Sequence, residues 1–297
     1  MLNDYQLVRL NNGICSVRSL ADDETFHPVI GPVAEAEALY VNQLRLRERL
    51  HNHSGEFVIW DVGLGAAANA IVALRATREI SGRLRLLSFD NTGEPLKFAL
   101  QNSAALGYFD GYENQIAELL RTKRVEFENG KLKVDWKFQL GDFPAWLERR
   151  SPTRREPAGP THRAGPEAGA PHAIFYDAYS PAKNPAMWTL PLFTNLFRLL
   201  DPERPCALTT YSRSTILRVT LLLAGFFVGV GHATGLKEET TIAANTLNLI
   251  TNPLNARWLD RALRSHSAEP LDEPVYSRKP LSPATAEQLR RHPQFAT

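Results

Sequence analysis

Short continuous apolar runs alternate along the chain with segments in which apolar residues recur at helical spacing. The runs at 57–60, 84–89 and 172–176 have the length and apolar character of strands buried on both faces of a sheet. The segments at 66–77 and 95–106 have the composition and spacing of helices, and each follows one of these runs. Strands and helices in this alternation predict an α/β fold with a mostly parallel sheet.

The second half of the chain continues the same alternation after the run at 172–176. The periodicity and the turn residues predict a short helix at 143–150, a helix at 185–200, a strand at 206–210, a helix at 214–224, strands at 226–230 and 240–244, and a helix around 257–264.

Two β-hairpins are predicted from Asn-Gly pairs, which favour tight turns. One pair, at 12–13, separates the strands expected at 5–10 and 14–18. The other pair, at 129–130, lies within the alternating segment 125–140. The first hairpin opens the chain, so we expect it to pack against the main domain rather than to fold alone.

These elements group into three predicted parts. Residues 1–50 form an arm of a hairpin and a helix at 33–50, residues 51–250 form the main domain, and residues 251–297 form a C-terminal helix and tail. Within the main domain, residues 151–171 are rich in Pro, Gly, Ala and Arg and lack apolar periodicity, which predicts a flexible insertion loop.

Composition narrows the class of protein without naming a partner. The chain has 297 residues, of which 43% are hydrophobic and 22% charged, and its net charge of +2 does not itself indicate nucleic acid. Cys15 and Cys206 lie far apart in apolar segments, as expected of reduced packing residues in a cytoplasmic protein. The most apolar stretch, 219–230, is too short to span a bilayer, so we expect no membrane association. The histidine pair at 51 and 53 has no nearby acid or cysteine set, so we expect no metal site.

Acids and glycines follow the predicted strands at the ends where open α/β sheets bind ligands. Asp61 precedes Gly63 and Gly65, Asp90 ends the next strand, and Asp142 ends the hairpin strand. This layout suits a nucleoside with a short charged tail: the tail near Asp61 and the glycines, the ribose at Asp90 and the adenine near Asp142. S-adenosyl-L-methionine fits it better than a dinucleotide, because the third glycine of the dinucleotide fingerprint is absent.

A polar loop follows the strand predicted at 172–176. Its residues would crowd the ligand crevice, with Asp177 and Tyr179 facing the methyl group: Asp177, Tyr179, Ser180, Lys183 and Asn184. The alternative is that Asp177 only caps a turn that the neighbouring prolines stiffen.

Two motifs resemble those of the MnmC-type tRNA methyltransferases. The run FYDAYSPAKNPAMWT at 175–189 is similar to the family signature, and DVGLGAAAN at 61–69 is similar to its cofactor motif. The resemblance, which also includes His27-Pro28, extends over roughly 24–244. Ala67 and Ala178 depart from the family pattern, because each stands where family members have glycine.

The resemblance implies a class I, Rossmann-like S-adenosyl-L-methionine-dependent methyltransferase with a seven-stranded, mostly parallel sheet. Its expected reaction converts the 5-aminomethyl group of a tRNA wobble (2-thio)uridine to 5-methylaminomethyl. The chain resembles the stand-alone branch without the FAD-dependent oxidase domain. We therefore expect a separate FAD-dependent oxidase or GTPase-type tRNA modification enzymes to act upstream.

Roles for individual residues follow from the layout and the resemblance together. The expected catalytic residues are Asp177, which accepts or orients a proton of the amine, and Tyr179, which stacks on the splayed-out base. The expected cofactor-binding residues are Asp61, Gly63, Gly65, Asn69, Asp90, Asp142 and Asp177. The expected substrate-binding residues are Tyr179, Lys183, Asn184, Arg213 and Lys237.

Three other functions remain open at the level of sequence. One is a small-molecule amine N-methyltransferase with the same cofactor site, whose activity would not depend on salt as tRNA binding does. A second is a non-catalytic RNA-binding protein with a degenerate methyltransferase fold, supported by the alanines at 66–68 and 178. A dehydrogenase is third, and the missing third glycine disfavours it.

Overall fold

A computed structural model describes residues 4–150, 169–235 and 238–295 of the chain. Most of the loop predicted at 151–171 therefore lies outside the described residues. The chain divides into two compact units. The first comprises Met1–Asp142, Ala173–Asp177 and His232–Glu238. The second comprises Phe143–His172, Ala178–Gly231 and Glu239–Thr297. The three-part division expected from the sequence stays a prediction.

Three short antiparallel strands open the first unit: β1 (Tyr5–Arg9), β2 (Cys15–Ser19) and β3 (Glu24–Thr25). The first two form the predicted hairpin, and the third extends it. The segment predicted as one helix is α1 (Pro32–Ala36), a π-helical turn (Glu37–Asn42) and α2 (Leu46–His51). It is interrupted at Arg45, whose backbone is left-handed at φ 49°.

The central strands of the first unit are β4 (Glu56–Val62), β5 (Gly82–Asp90), β6 (Arg124–Asn129), β7 (Leu132–Leu140) and β8 (Ala173–Tyr176). Their order is β8-β4-β5-β7-β6, and only β6 runs antiparallel to its neighbour. The register places Val62 opposite both Phe89 and Tyr176, and Asp90 opposite Leu140. The carboxyl ends of four strands therefore meet at one edge.

Helices connect these strands: α3 (Ala68–Thr77), α4 (Glu94–Gln101), α5 (Ser103–Leu106) and α6 (Glu113–Thr122). The single helix predicted at 95–106 is two helices, because Asn102 leaves the helical conformation at φ −115° and ψ 21°. The arm contributes to the core of this unit, since the ring of Tyr40 packs 4.8 Å from that of Phe175.

The second unit contains helices α7 (Phe143–Glu148), α8 (Leu190–Leu199), α9 (Thr215–Ala224), α10 (Ala256–Leu263) and α11 (Pro283–Arg290). Its strands are β9 (Ala207–Thr210), β10 (Phe227–Gly231) and β11 (Thr240–Ala244), antiparallel in the order β10-β11-β9. The helix expected at 185–200 is instead a 3₁₀ turn (Pro185–Trp188) followed by α8. Thr189 is extended between them and caps α8 by accepting a hydrogen bond from Leu192 N–H.

The predicted α/β class is confirmed. Apart from β1–β3, the first unit has five described strands and the second has three, in total one more than the seven expected. Parallel pairing dominates among the five. In the described part of the chain, no helix is both long enough and apolar enough to cross a membrane.

A buried arginine ties α9 to β11 in the second unit. Arg218 is 2% exposed. Its guanidinium donates hydrogen bonds to Thr241 Oγ1 at 3.1 Å, Glu239 Oε1 at 3.1 Å and the Thr240 carbonyl at 2.7 Å. Removal of the side chain leaves these acceptors without their donor, which is costly inside a protein.

Replacement of Arg218 by methionine should lower the free energy of unfolding by about 2–4 kcal/mol, since a buried, hydrogen-bonded ion pair loses one member. Urea denaturation measures the change. Arg121→Met is the control, because Arg121 pairs with Glu118 on an exposed helix surface and should cost under about 1 kcal/mol. Equal losses in the two variants would contradict a structural role for the buried pair.

Candidate active site

The turn between β4 and α3 is folded over the end of β5. The N–H groups of Gly63 and Leu64 both donate to the Phe89 carbonyl at 3.0 Å. Gly63 and Gly65 have left-handed backbones with φ of 94° and 49°, which glycine adopts without strain. A Cβ atom on Gly65 would lie 3.2 Å from the Phe26 ring. The turn therefore needs its glycines, and it lies at the end of β5.

Asp61 lies one residue inside the end of β4 and is fully buried. Its Oδ2 accepts a hydrogen bond from Ser88 Oγ at 2.7 Å, and Ser88 Oγ in turn accepts one from Trp136 Nε1. Among the described residues, Oδ1 has no hydrogen-bond partner. Burial raises the pKa of the Asp61 carboxyl to about 7; the Ser88 hydrogen bond opposes this, and the charges of Asp177 and Asp90 add to it.

Asp90 is the last residue of β5 and accepts a hydrogen bond from the glycine turn. Its Oδ2 accepts from Gly65 N–H at 2.9 Å, and its Oδ1 accepts from Thr92 N–H at 3.2 Å. Burial raises the pKa of this carboxyl, and the backbone hydrogen bonds oppose the rise. A carboxylate has about four acceptor positions, so these two bonds leave capacity for a ligand hydroxyl.

Asp177 follows β8 and is held from two directions. Its N–H donates to the Val62 carbonyl at 2.9 Å, and its Oδ2 accepts from Asn69 Nδ2 at 2.7 Å. Asn69, on α3, is 4% exposed, and its Oδ1 has no hydrogen-bond partner within the described ranges. The two predicted residues, 108 positions apart, are therefore in direct contact.

His27 and Glu35 join this cluster, although neither was predicted as a site residue. His27 Nε2 lies 3.7 Å from Asp177 Oδ2, and its Nδ1 lies 3.6 Å from Glu35 Oε1. The side chains of His27 and Glu35 are 9% and 4% exposed. The resemblance at His27-Pro28 was the available signal for His27, and no local pattern marked Glu35.

Asp142 lies at the same edge, two residues beyond β7. The N–H of Gly141, next to it, donates to the Asp90 carbonyl at 2.8 Å. The Asp142 side chain is exposed. The first unit thus gathers the acids at Asp61, Asp90, Asp142 and Asp177 at the carboxyl ends of its strands. Across the described residues, no group of three or more His, Cys, Asp or Glu side chains is arranged to hold a metal ion.

The remaining predicted residues belong to the second unit or are not described. The Tyr179 carbonyl accepts from Trp188 Nε1 at 2.7 Å, and the N–H groups of Lys183 and Asn184 both donate to the Ser180 carbonyl at 2.9 Å. This part of the loop is thus an ordered turn. Lys183 and Arg213 are exposed, and Lys237 lies outside the described residues.

Comparison with protein families finds a match at residues 166–246. The matching family is described as an S-adenosyl-L-methionine-dependent methyltransferase. The match includes β8 and the loop that begins with Asp177.

Among curated proteins, the chain is similar to the tRNA 5-methylaminomethyl-2-thiouridine biosynthesis bifunctional protein MnmC. It is 30% identical to the Aeromonas hydrophila protein over 219 residues, which are 70% of this chain and 30% of that protein. With the Leptospira interrogans protein it shares 25% identity over 262 residues, 84% of this chain and 37% of that one. The chain therefore spans about a third of the length of these relatives.

Among solved structures, MnmC2 from Aquifex aeolicus has a similar fold. The TM-score is 0.67 at 22% identity, and the alignment covers 96% of this chain and 84% of that one. At this identity the likeness supports the fold.

Ala67 stands where the resembling family has glycine, yet its backbone is left-handed at φ 61°. This conformation costs a non-glycine residue about 1–2 kcal/mol. Ala70, in α3, is equally buried and helical. Ala67→Gly should therefore be about 1–2 kcal/mol less destabilising than Ala70→Gly, because both changes make the unfolded chain more flexible but only the first relieves strain. Urea denaturation of both variants measures the difference, and equal effects would contradict the strain at Ala67.

The cluster around Asp61, Asn69, Asp90 and Asp177 fits S-adenosyl-L-methionine, the cofactor that the family description names. Asp61 Oδ1 and Asn69 Oδ1 are buried acceptors without hydrogen-bond partners among the described residues, as a site for a ligand ammonium group requires. The glycine turn exposes backbone beside them, and Asp90 can accept from ribose hydroxyls. The fold, this cluster and the similarities together identify the chain as an MnmC-like S-adenosyl-L-methionine-dependent methyltransferase, similar to the methyltransferase part of those proteins.

Proposed function

We propose that this enzyme methylates the nitrogen of a 5-aminomethyl group on the wobble (2-thio)uridine of tRNA, giving 5-methylaminomethyl. The observation that carries the proposal is the Asp177 carboxylate, held by Asn69 at the sheet edge beside the glycine turn. An amine must lose a proton to be methylated, and a fixed carboxylate is a suitable acceptor. The names of the MnmC relatives support the choice of tRNA.

The first unit would hold the cofactor through residues at the ends of β4 and β5. Asp61 and Asn69 would accept from its ammonium group, Gly63 and Gly65 would lie against it, Asp90 would accept from the ribose hydroxyls, and Asp142 would lie near the adenine. When bound, S-adenosyl-L-methionine supplies an electrophilic methyl group on a positively charged sulfur.

Asp177 would then orient the amine and receive its proton at the carboxylate. Asn69 fixes this carboxylate by donating to Oδ2. His27 lies between Asp177 and Glu35 with one ring nitrogen toward each. The imidazole can accept a proton at Nε2 and release one at Nδ1, so His27 would pass the proton from Asp177 to the Glu35 carboxylate.

The loop after Asp177 would bind the nucleic acid. Tyr179 would stack on the splayed-out uracil. Lys183, Asn184, Arg213 and Lys237 would contact the backbone around it. The amine itself must be made first, so we infer that a separate FAD-dependent oxidase or GTPase-type tRNA modification enzymes act upstream, in the cytoplasm.

The test is methyl transfer from labelled cofactor to tRNA purified from cells that lack the last modification step. Nucleoside analysis should show the added methyl on the wobble uridine, and the rate at subsaturating tRNA should fall steeply with salt. Methylation of a small amine without salt dependence, together with no transfer to tRNA, would instead support the small-molecule alternative.

Asp177→Asn should lower the single-turnover rate of methyl transfer at saturating cofactor by about 100-fold or more, because the proton acceptor is lost while the shape is kept. Asp110→Asn is the control, since Asp110 is an exposed acid paired with Arg75 in the same unit. Single-turnover assays measure the rates. Normal transfer by the Asp177 variant would exclude the role proposed for this carboxylate.

Cofactor affinity should rise with pH. The Asp61 carboxyl, with a pKa raised to about 7, must release its proton to pair with the cofactor ammonium. The dissociation constant should therefore fall about eightfold between pH 6 and 7.5, with release of close to one proton at pH 6. Calorimetry in buffers of different ionisation enthalpy measures both quantities. Asp61→Asn should bind more weakly and without this pH dependence; the same dependence in that variant would assign the proton to another group.

A further inference from the structure

Three arginines lie on α10 and at its C-cap in the second unit. Arg257 and Arg261 are four positions apart on the same side of α10, and Arg264 is the C-cap residue that ends the helix. All three are exposed. We call them the arginine row. They line a surface cavity of about 530 Å³ together with Asn255, Trp258 and Asp260.

The arginine row is not neutralised by the protein. Among the described residues, none of its members forms an ion pair; Arg264 Nε donates to the backbone carbonyl of Asp260. Other surface arginines differ, since Arg121 and Arg291 each lie within 3 Å of a carboxylate. The Asp260 side chain is the one acid that lines the cavity, so the surface keeps a positive balance.

The helix that carries the row is anchored within the second unit by buried side chains. Trp258 is buried and stacks on Phe295 with ring centroids 6.3 Å apart. Asn255 caps the helix by accepting from Trp258 N–H, and Ala262 is 1% exposed. The apolar face of α10 is thus used within the unit, which argues against insertion into a lipid surface. The arginines are presented from a fixed helix, so little ordering is lost on binding.

We propose that the arginine row docks successive phosphate groups of the substrate tRNA, an inference that rests on the proposed function. The row extends about 10 Å along the helix axis, at 1.5 Å per residue. A polynucleotide backbone carries one negative charge per nucleotide, so a row of this length can face more than one phosphate. Guanidinium groups bind phosphate oxygens in bidentate pairs, which makes a regular polyanion the complementary partner.

The test compares binding of fluorescently labelled tRNA transcribed in vitro to three proteins over a series of salt concentrations. The row variant carries Arg257→Gln, Arg261→Gln and Arg264→Gln. The control variant carries Arg121→Gln, Arg290→Gln and Arg291→Gln, which change the net charge equally at arginines paired with carboxylates. Thermal unfolding and calorimetric cofactor affinity establish that each variant is folded.

The row variant should bind tRNA at least about tenfold more weakly at low salt, and the slope of log affinity against log salt should decrease by about 2–3. The control variant should keep the wild-type slope. Equal slopes in the two variants would overturn the proposal, and so would row-dependent binding to phosphatidylserine vesicles with unchanged tRNA binding.

The outcome for the proposed function is read separately, from methyl transfer by the wild-type enzyme to tRNA. Transfer that persists while the row variant binds tRNA normally would refute the docking surface alone. Row-dependent tRNA binding without any transfer would refute the proposed reaction and support the docking surface.

Discussion

The parallel register of β4 with β5 and β8 determines where the acids of the candidate active site lie. Val62 is opposite Phe89 on one side and Tyr176 on the other, so the three strands end at the same level. The chain leaving β4 then donates two hydrogen bonds to Phe89, and Asp177 N–H donates one to Val62. A shift of β8 by one residue would turn its side chains to the other face and separate Asp177 from Asn69. The site is therefore a consequence of sheet register.

The same arrangement buries the Asp61 carboxyl, and this burial lowers the stability of the folded protein at neutral pH. Burial raises the pKa of Asp61 from 3.8 to about 7, so the folded protein holds a proton that the unfolded chain releases near pH 4. The contribution of Asp61 to stability is therefore full below about pH 4, declines as the pH rises to about 7, and stays low above that. A ligand cation that pairs with the carboxylate would offset this cost. Such an acid is expected where binding, rather than stability, is selected.

Sequence reasoning predicted the candidate site from local signals. Apolar runs marked β4, β5 and β8, and the acids and glycines that follow them marked the ligand edge. It failed where the answer depends on tertiary contacts. The hydrogen bond between Asn69 and Asp177 joins residues 108 positions apart, and the position of His27 between Asp177 and Glu35 depends on how the arm packs. No local pattern encodes such distances.

Errors in the predicted elements have local causes of a different kind. Helix α6 was not predicted, because only Ile116 and Leu119 are buried on an otherwise polar segment. The helix expected at 185–200 is broken because Thr189 prefers to cap α8 in an extended conformation. In the first case the apolar pattern is too weak to predict the helix. In the second case a capping side chain interrupts a periodic pattern.

The two alanines that replace family glycines bear on whether the site is degenerate. Ala67 keeps the left-handed backbone that glycine would adopt, held by its N–H bond to the Leu64 carbonyl at 2.7 Å and by the bond from Ile71 N–H to its own carbonyl. Ala178 requires no such conformation, since within the described chain it is absent from the residues with positive φ, and its carbonyl accepts from Tyr211 Oη–H at 3.0 Å. The substitutions therefore preserve the shape of the backbone. The alanines were the support for the non-catalytic alternative. The glycine turn nevertheless keeps its geometry at some cost in strain, which argues that the turn is still used for binding.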